Sequence, residues 1–228
     1  MLLEQWKAIV IAMLLFFLGG ALASFIAVIE NPSHLYGILP GEMVQSVEPA
    51  SLGEDPQPVD APVMSAEIMT NNIQVAILAF AGGITLGILT VYVLIYNGIL
   101  VGALAGLFWN YSNSYSFWAY IVPHGVIELL AIFIAGGAGL LMGYKIFVPG
   151  DHSRGYQLKV QTVRSVQLLL GTIPLFIIAG IIEGYITPAD ISLEMKYAVA
   201  IITAVGLLSY MIAGHFLLRK RALQHSSI

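Results

Sequence analysis

PHGVIELLAIFIAGGAG, residues 123–139, decides the fold. It is apolar enough for lipid over most of its length, carries two ionisable groups near its head and ends in a run of Ala and Gly. Proline is tolerated in the first turn of a helix, so a helix is predicted to start at Pro123 and to run through Gly143. His124 and Glu128, at i and i+4, then share one face near its outer end. The positive end of the helix dipole there favours a carboxylate and disfavours an imidazolium.

Composition carries the same reading to the whole chain. At 58% hydrophobic and 10% charged residues, 228 residues hold more apolar surface than a soluble core of this size can bury. A bilayer crossing needs about 20 mostly apolar residues. Such windows run over residues 8–29, 73–96, 126–146, 166–182 and 197–218, and a shorter one over 98–109 is extended by 111–122, as a tilted or a re-entrant segment. The expected fold is all-α: a polytopic membrane bundle of about six helices, with broken or short helices around 98–122. It divides into an N-terminal transmembrane helix (1–29), an acidic Pro-rich extracytoplasmic loop (30–66), a helical core (67–196) and a last transmembrane helix with a basic cytoplasmic tail (197–228).

Charge distribution orients the bundle. Glu30, Glu42, Glu48, Glu54, Asp55, Asp60 and Glu67 fall in a stretch without Lys or Arg, whereas Lys7, Lys145, Arg154, Lys159, Arg164, Arg219, Lys220 and Arg221 recur on the opposite side of an even number of spans. Cytoplasmic loops retain Lys and Arg. Both termini are therefore expected in the cytoplasm, in a multi-pass protein of the cell membrane. Lys196 alone disagrees, and is expected in an outer loop beside Asp190 and Glu194. The N-terminal run through Ala21-Leu22-Ala23 resembles a signal peptide, but it continues to Ile29 and is read as an uncleaved anchor. Residues 155–166 suit either an interfacial helix or a cytoplasmic extension of the following span.

Glycines show how the helices meet. Gly83 and Gly87, then Gly98, Gly102 and Gly106, then Ala135, Gly139 and Gly143 recur at four-residue spacing, which returns to nearly the same helix face. Small residues there let backbones approach where lipid supplies no hydrophobic drive between helices. The seven glycines are expected to form a tight packing, within one chain or between copies. The Ala-Gly-Gly tripeptides at Ala81 and Ala135 do not align in their flanks and carry no repeat.

The polar residues at membrane depth are Asn71, Asn72, His124 and Glu128, with Asn72 the expected partner of Glu128; Asn97 is expected too far away. Three roles compete: an interhelical hydrogen-bond network, a translocation or proton-relay site, and metal chemistry, for which two ligands fall short of the three that catalytic zinc uses. Glu183 is read as solvated, His215 as an interface histidine, and Trp6, Trp109 and Trp118 as an aromatic belt. Without cysteine, thiolate chemistry is excluded. No phosphate loop or nucleophile elbow is present, so no catalytic residue, metal or cofactor is expected, and the lack of a basic patch argues against nucleic acid.

Asn71-Asn72 with Ala79-Phe80 and Gly83, Tyr96-Asn97-Gly98, Pro123-His124-Gly125 with Glu128, Ala135 through Gly139, and Glu183-Gly184 followed by Pro188 form an ordered set. Over roughly residues 65–190 it resembles the SpoIIM-like, stage II sporulation protein M family of integral membrane proteins. The resemblance implies a polytopic scaffold that positions envelope or cell-wall-remodelling proteins, so the expected partners are other envelope membrane proteins, beside the membrane lipids and, where the glycine faces meet between copies, a homodimer. It supplies no catalytic residue for His124 or Glu128. The alternative is a transporter or channel for an ion or small polar solute that uses those two residues.

Overall fold

The computed structural model describes residues 5–39 and 61–225; the side chains of 61–68, 215 and 217–225 are outside that description. Among the described residues there is no strand, and six long helices carry the fold. These are α1 (Trp6–Glu30), α2 (Ala61–Ala81), α3 (Ile88–Asn110), α4 (Ser114–Phe147), α5 (Arg154–Tyr185) and α6 (Leu193–His225). α1, α3, α4, α5 and the Leu193–Gly214 part of α6 are long and apolar enough to cross a membrane. Most of the acidic loop, with Glu42, Glu48, Glu54, Asp55 and Asp60, lies outside the described residues. So do the side chains of Glu67, His215, Arg219, Lys220 and Arg221.

Register along α4 gives every helix its direction. Phe16 of α1 packs edge-on to Phe133 with ring centroids 5.3 Å apart, and Ile9 lies against Gly137, so α1 runs antiparallel to α4. Leu94 meets Gly136 and Phe108 stacks on Phe117 at 4.7 Å, so α3 is antiparallel too. Ser165 donates to the Ala138 carbonyl at 3.4 Å while the end of α5 reaches His124, which makes α5 antiparallel as well. α2 and α6 run parallel to α4: Ala79 lies at Gly139, and Tyr197 and Thr203 bond to the carbonyls of Tyr115 and Pro123. Directions therefore alternate along the chain. Trp6, the α2–α3 turn and the α4–α5 turn gather at one end, and Glu30, the α3–α4 turn and the α5–α6 connection at the other.

The predicted continuous span over 73–96 is two helices. Gly82–Thr85 tightens to a 3-10 turn, and Leu86 (φ 59°) and Gly87 (φ 85°) take left-handed backbone, which no α-helix continues. The Thr85 hydroxyl donates to the Gly82 carbonyl at 2.7 Å and accepts the Leu89 N–H at 3.0 Å, closing one helix and capping the next. Thr90 then ties α3 back to the Ala79 carbonyl at 2.7 Å. Conversely, the break expected around 98–122 shrinks to Tyr111–Asn113, where Ser112 has φ 57° and the Asn113 N–H reaches the Phe108 carbonyl at 2.9 Å. Pro123 does not start a helix either; α4 begins at Ser114 and carries Pro123 buried inside it. Packing on both sides holds the helix through the missing N–H. Residues 155–166 are simply the first turns of α5, the extension alternative.

The glycines form two seams within one chain. On α3, Gly98, Gly102 and Gly106 lie against the backbone of α1 at Phe16, Ala21 and Phe25. α1 answers with Gly20 against Ile95 and a widened π turn at Leu15–Ala21, the kind of local defect that lets two backbones close up. On α4, Gly139 meets the Ala79 carbonyl and Gly143 meets the α2–α3 turn at Gly87, while Gly83 meets Gly139. Gly83 and Gly87 thus approach α4 from a turn, not from one helix face as the spacing implied.

Candidate functional site

Where α5 and α6 meet α4, the interior becomes polar. Glu128 lies about 21 Å along a helix about 50 Å long, at 1.5 Å per residue. The expectation that His124 and Glu128 sit at a helix head is corrected with it: the dipole acts within the first turn, and His124 is well past it.

His124 Nδ1 contacts the Oε2 of Glu183, and both side chains are 12% exposed. Thr187, one turn beyond Glu183, donates its hydroxyl to the same carboxylate oxygen at 2.6 Å. The Thr187 carbonyl accepts from the Nζ of Lys196, which stands 3.9 Å from the centroid of the Tyr120 ring, a cation–π geometry. Lys196 is 1% exposed. Glu128 lies within electrostatic reach of His124 and Glu183, and within interaction range of the Asn72 side chain. Four helices therefore contribute: Asn72 from α2, Tyr120, His124 and Glu128 from α4, Glu183 from α5 with Thr187 just beyond its end, and Lys196 from α6.

Of the four residues expected from sequence, three meet here. Asn71 is exposed and joins only through its side-chain bond to Asn72 at 3.3 Å. Asn97 lies near the middle of α3 and donates to its own helix at Val93, 2.8 Å away. Two expectations are overturned. Glu183, read as solvated, is buried against His124, because α4 extends nine residues further than Pro123 would allow and overlaps the end of α5. Lys196, read as a loop residue, lies in the first turn of α6 and is buried. Lys196 was already the one basic residue that broke the charge pattern, a signal that it neutralises something. Glu183 stood alone in an apolar run.

Chemically the cluster cross-links the bundle. Among the described residues no three of His, Asp and Glu are placed to hold a metal ion. α6 is fastened near this level: Tyr197 donates to the Tyr115 carbonyl at 2.9 Å, their rings lie 5.0 Å apart, and Thr203 reaches the Pro123 carbonyl at 3.3 Å. Beyond Ala204 it presents Val205, Leu208 and Ile212 on its exposed face.

The family model described as stage II sporulation protein M matches residues 12–188. One relative, an uncharacterized protein of Methanocaldococcus jannaschii, is 37% identical over 123 residues, covering 53% of this chain and 69% of its own. A second from the same organism is 32% identical over 123 residues, covering 53% of this chain and 54% of its own, so the chain spans about half of that relative. No solved structure matches. The match reaches back into α1, whereas the motifs carried the resemblance only from about residue 65. It stops short of α6, so Lys196 completes the cluster from outside the matched region.

Proposed function

We infer that the chain, which belongs to the stage II sporulation protein M family, serves as a scaffold in the membrane that recruits or positions envelope proteins. That it is a multi-pass membrane protein follows from its five apolar helices and its family. The observation that supports the scaffold reading is how the interior polar groups are committed. His124 contacts Glu183, Thr187 donates to the same carboxylate, Lys196 donates to the Thr187 carbonyl, and the glycine seams bring backbones into contact. The result is a closely packed bundle in which α6 exposes an apolar face. Transport through His124 and Glu128 is not favoured, since both face neighbours within the cluster.

The scaffold is tested by purifying the intact tagged chain from host membranes in mild detergent and quantifying what accompanies it. One or more envelope membrane proteins are expected in near-stoichiometric amount, and Val205→Trp with Ile212→Trp on the exposed face of α6 is expected to lose them without lowering thermal stability. A chain that purifies alone defeats this reading.

The same inference assigns orientation. Lys7, Lys145, Arg154 and Lys159 gather at the Trp6 end, which the charge rule places in the cytoplasm. Because the chain lacks cysteine, single cysteines report sidedness cleanly. Cysteine at Tyr111 is expected to react in intact cells with a membrane-impermeant maleimide and cysteine at Ile84 only after permeabilisation; the reverse pattern refutes the assignment.

A further inference from the structure

The α4–α5 hairpin reaches past the Trp6 end of α1 and past the α2–α3 turn. Ile9 lies against Gly137 and Gly87 against Gly143, so residues 144–147 of α4 run beyond both. α5 is pinned to α4 by Ser165 at the Ala138 carbonyl and by Thr162, whose hydroxyl lies 3.5 Å from the Met142 sulfur, so residues 154–161 stand beyond the same level. At 1.5 Å per residue they carry α5 about 12 Å farther, enough to cross a headgroup layer of roughly 5–8 Å. The turn is closed by its own bonds: Gly150 takes φ 64°, the Ser153 hydroxyl oxygen accepts the Tyr156 N–H at 3.3 Å, and the Gln157 amide donates to the Pro149 carbonyl at 2.8 Å. What it carries is therefore presented at headgroup height.

Lys145, Arg154, Lys159 and, a turn deeper, Arg164 stand here against one carboxylate, Asp151. Among them Tyr144, Phe147 and Tyr156 are exposed, Phe147 at 68%. Aromatic rings at this height suit the boundary between tails and headgroups. Such a belt has no charge preference by itself: the opposite end exposes Trp109, Tyr111 and Tyr115 beside Glu30, Asp190 and Glu194. The hairpin differs by its cations, whose long stems lie along apolar surface while the charged heads reach water and headgroups. We propose that the α4–α5 hairpin is a binding site for anionic membrane lipids, its Lys and Arg side chains meeting headgroup phosphates while Tyr144, Phe147 and Tyr156 rest at the tail boundary. A zwitterionic lipid offers the same phosphate together with its own ammonium, so the attraction selects lipids of net negative charge. Each basic side chain near an anionic surface strengthens binding about fivefold. An acidic protein would match the charge but leave Tyr144 and Phe147, at bilayer height, unexplained. The inference depends neither on the scaffold reading nor on which side of the membrane this end faces.

The test equilibrates the full chain with mixed micelles holding phosphatidylglycerol and phosphatidylcholine in equal amounts, repurifies it and counts the retained lipids by mass spectrometry. The wild type is expected to keep phosphatidylglycerol over phosphatidylcholine by at least about tenfold at low salt, with the preference falling as salt screens the cations. Lys145→Gln, Arg154→Gln and Lys159→Gln combined are expected to bring the two lipids to near parity. The charge-keeping set Lys145→Arg, Arg154→Lys and Lys159→Arg is expected to retain the preference, as is Lys7→Gln, which lies off the hairpin. Equal retention of both lipids by the wild type overturns the proposal, as does a preference indifferent to salt, a measurement that needs no variant. A preference that the triple Gln variant keeps, or an acidic protein held through those three side chains in place of lipid, overturns it too.

Discussion

Gly102→Leu is expected to abolish the folded bundle, while Gly171→Ala leaves it intact or slightly more stable. A Cβ on Gly102 would run into the Ala21 carbonyl oxygen and the Ser24 hydroxyl, and would lie 2.7 Å from the Ala21 carbonyl carbon. The obstruction at Ala21 is backbone, so no rotamer change relieves it, and α1 must be pushed off α3. Overpacking a close core costs about 1–3 kcal/mol even where side chains can yield. In lipid the loss is greater in kind, because separated helices gain solvation by tails as apolar as the partner they leave. The neighbouring contacts at Gly98 and Gly106, with the Asn110 bond to the Val28 carbonyl at 2.9 Å, lie on the same seam and go with it. Gly171 has nothing within 4 Å of its would-be Cβ, so alanine there only removes the roughly 1 kcal/mol penalty of glycine in a helix. Size-exclusion profiles and melting curves in one detergent decide the matter. If Gly102→Leu elutes as a sharp peak and melts near the wild type, the seam does not hold α1 and α3 together.

The contrast between those two glycines also shows what sequence can tell. Four-residue spacing at Gly98, Gly102 and Gly106 located a packed face, because that period is a property of the helix itself. It did not say that α1 is the partner, since Gly20 and the π turn opposite carry no spacing signal. At Gly83 and Gly87 the same spacing arose in a turn. Hydropathy could not see that turn, because a buried glycine turn between two apolar helices is as apolar as a helix; the cue was Gly82-Gly83 followed by Thr85 and Gly87, which was absorbed into a span. That one misread boundary carried Asn97 to a helix end. In the candidate site, His124 and Glu128 were legible from their i, i+4 spacing within apolar sequence, and Asn72 from its depth. Glu183 and Lys196 were not, because what unites them with His124 is the register of α5 and α6 against α4. Placing the start of α4 at Pro123 instead of Ser114 removed the turns against which α6 docks.

Glu183→Leu is expected to cost about 3–5 kcal/mol, the range found when one partner of a buried charge pair is removed and the other left behind. Lys196, which lies within electrostatic reach of Glu183, is the group left behind: it is 1% exposed, and the Thr187 carbonyl and the Tyr120 face do not carry a countercharge. Thr187 also loses the acceptor that now fixes its hydroxyl at 2.6 Å. The cost therefore belongs to the orphaned ammonium more than to the lost contact. A cycle separates the two: Lys196→Met, close in volume and uncharged, is expected to restore most of the stability when combined with Glu183→Leu. By itself Lys196→Met leaves the carboxylates without their ammonium and is expected to destabilise. Reversible unfolding in mixed detergent micelles measures the three variants on one scale. A large negative coupling between the two sites means that α6 is docked by charge, and single effects below about 1 kcal/mol that simply add would mean the pair behaves like an exposed ion pair. Burial makes the first outcome the expected one, since screening weakens only those pairs that water can reach.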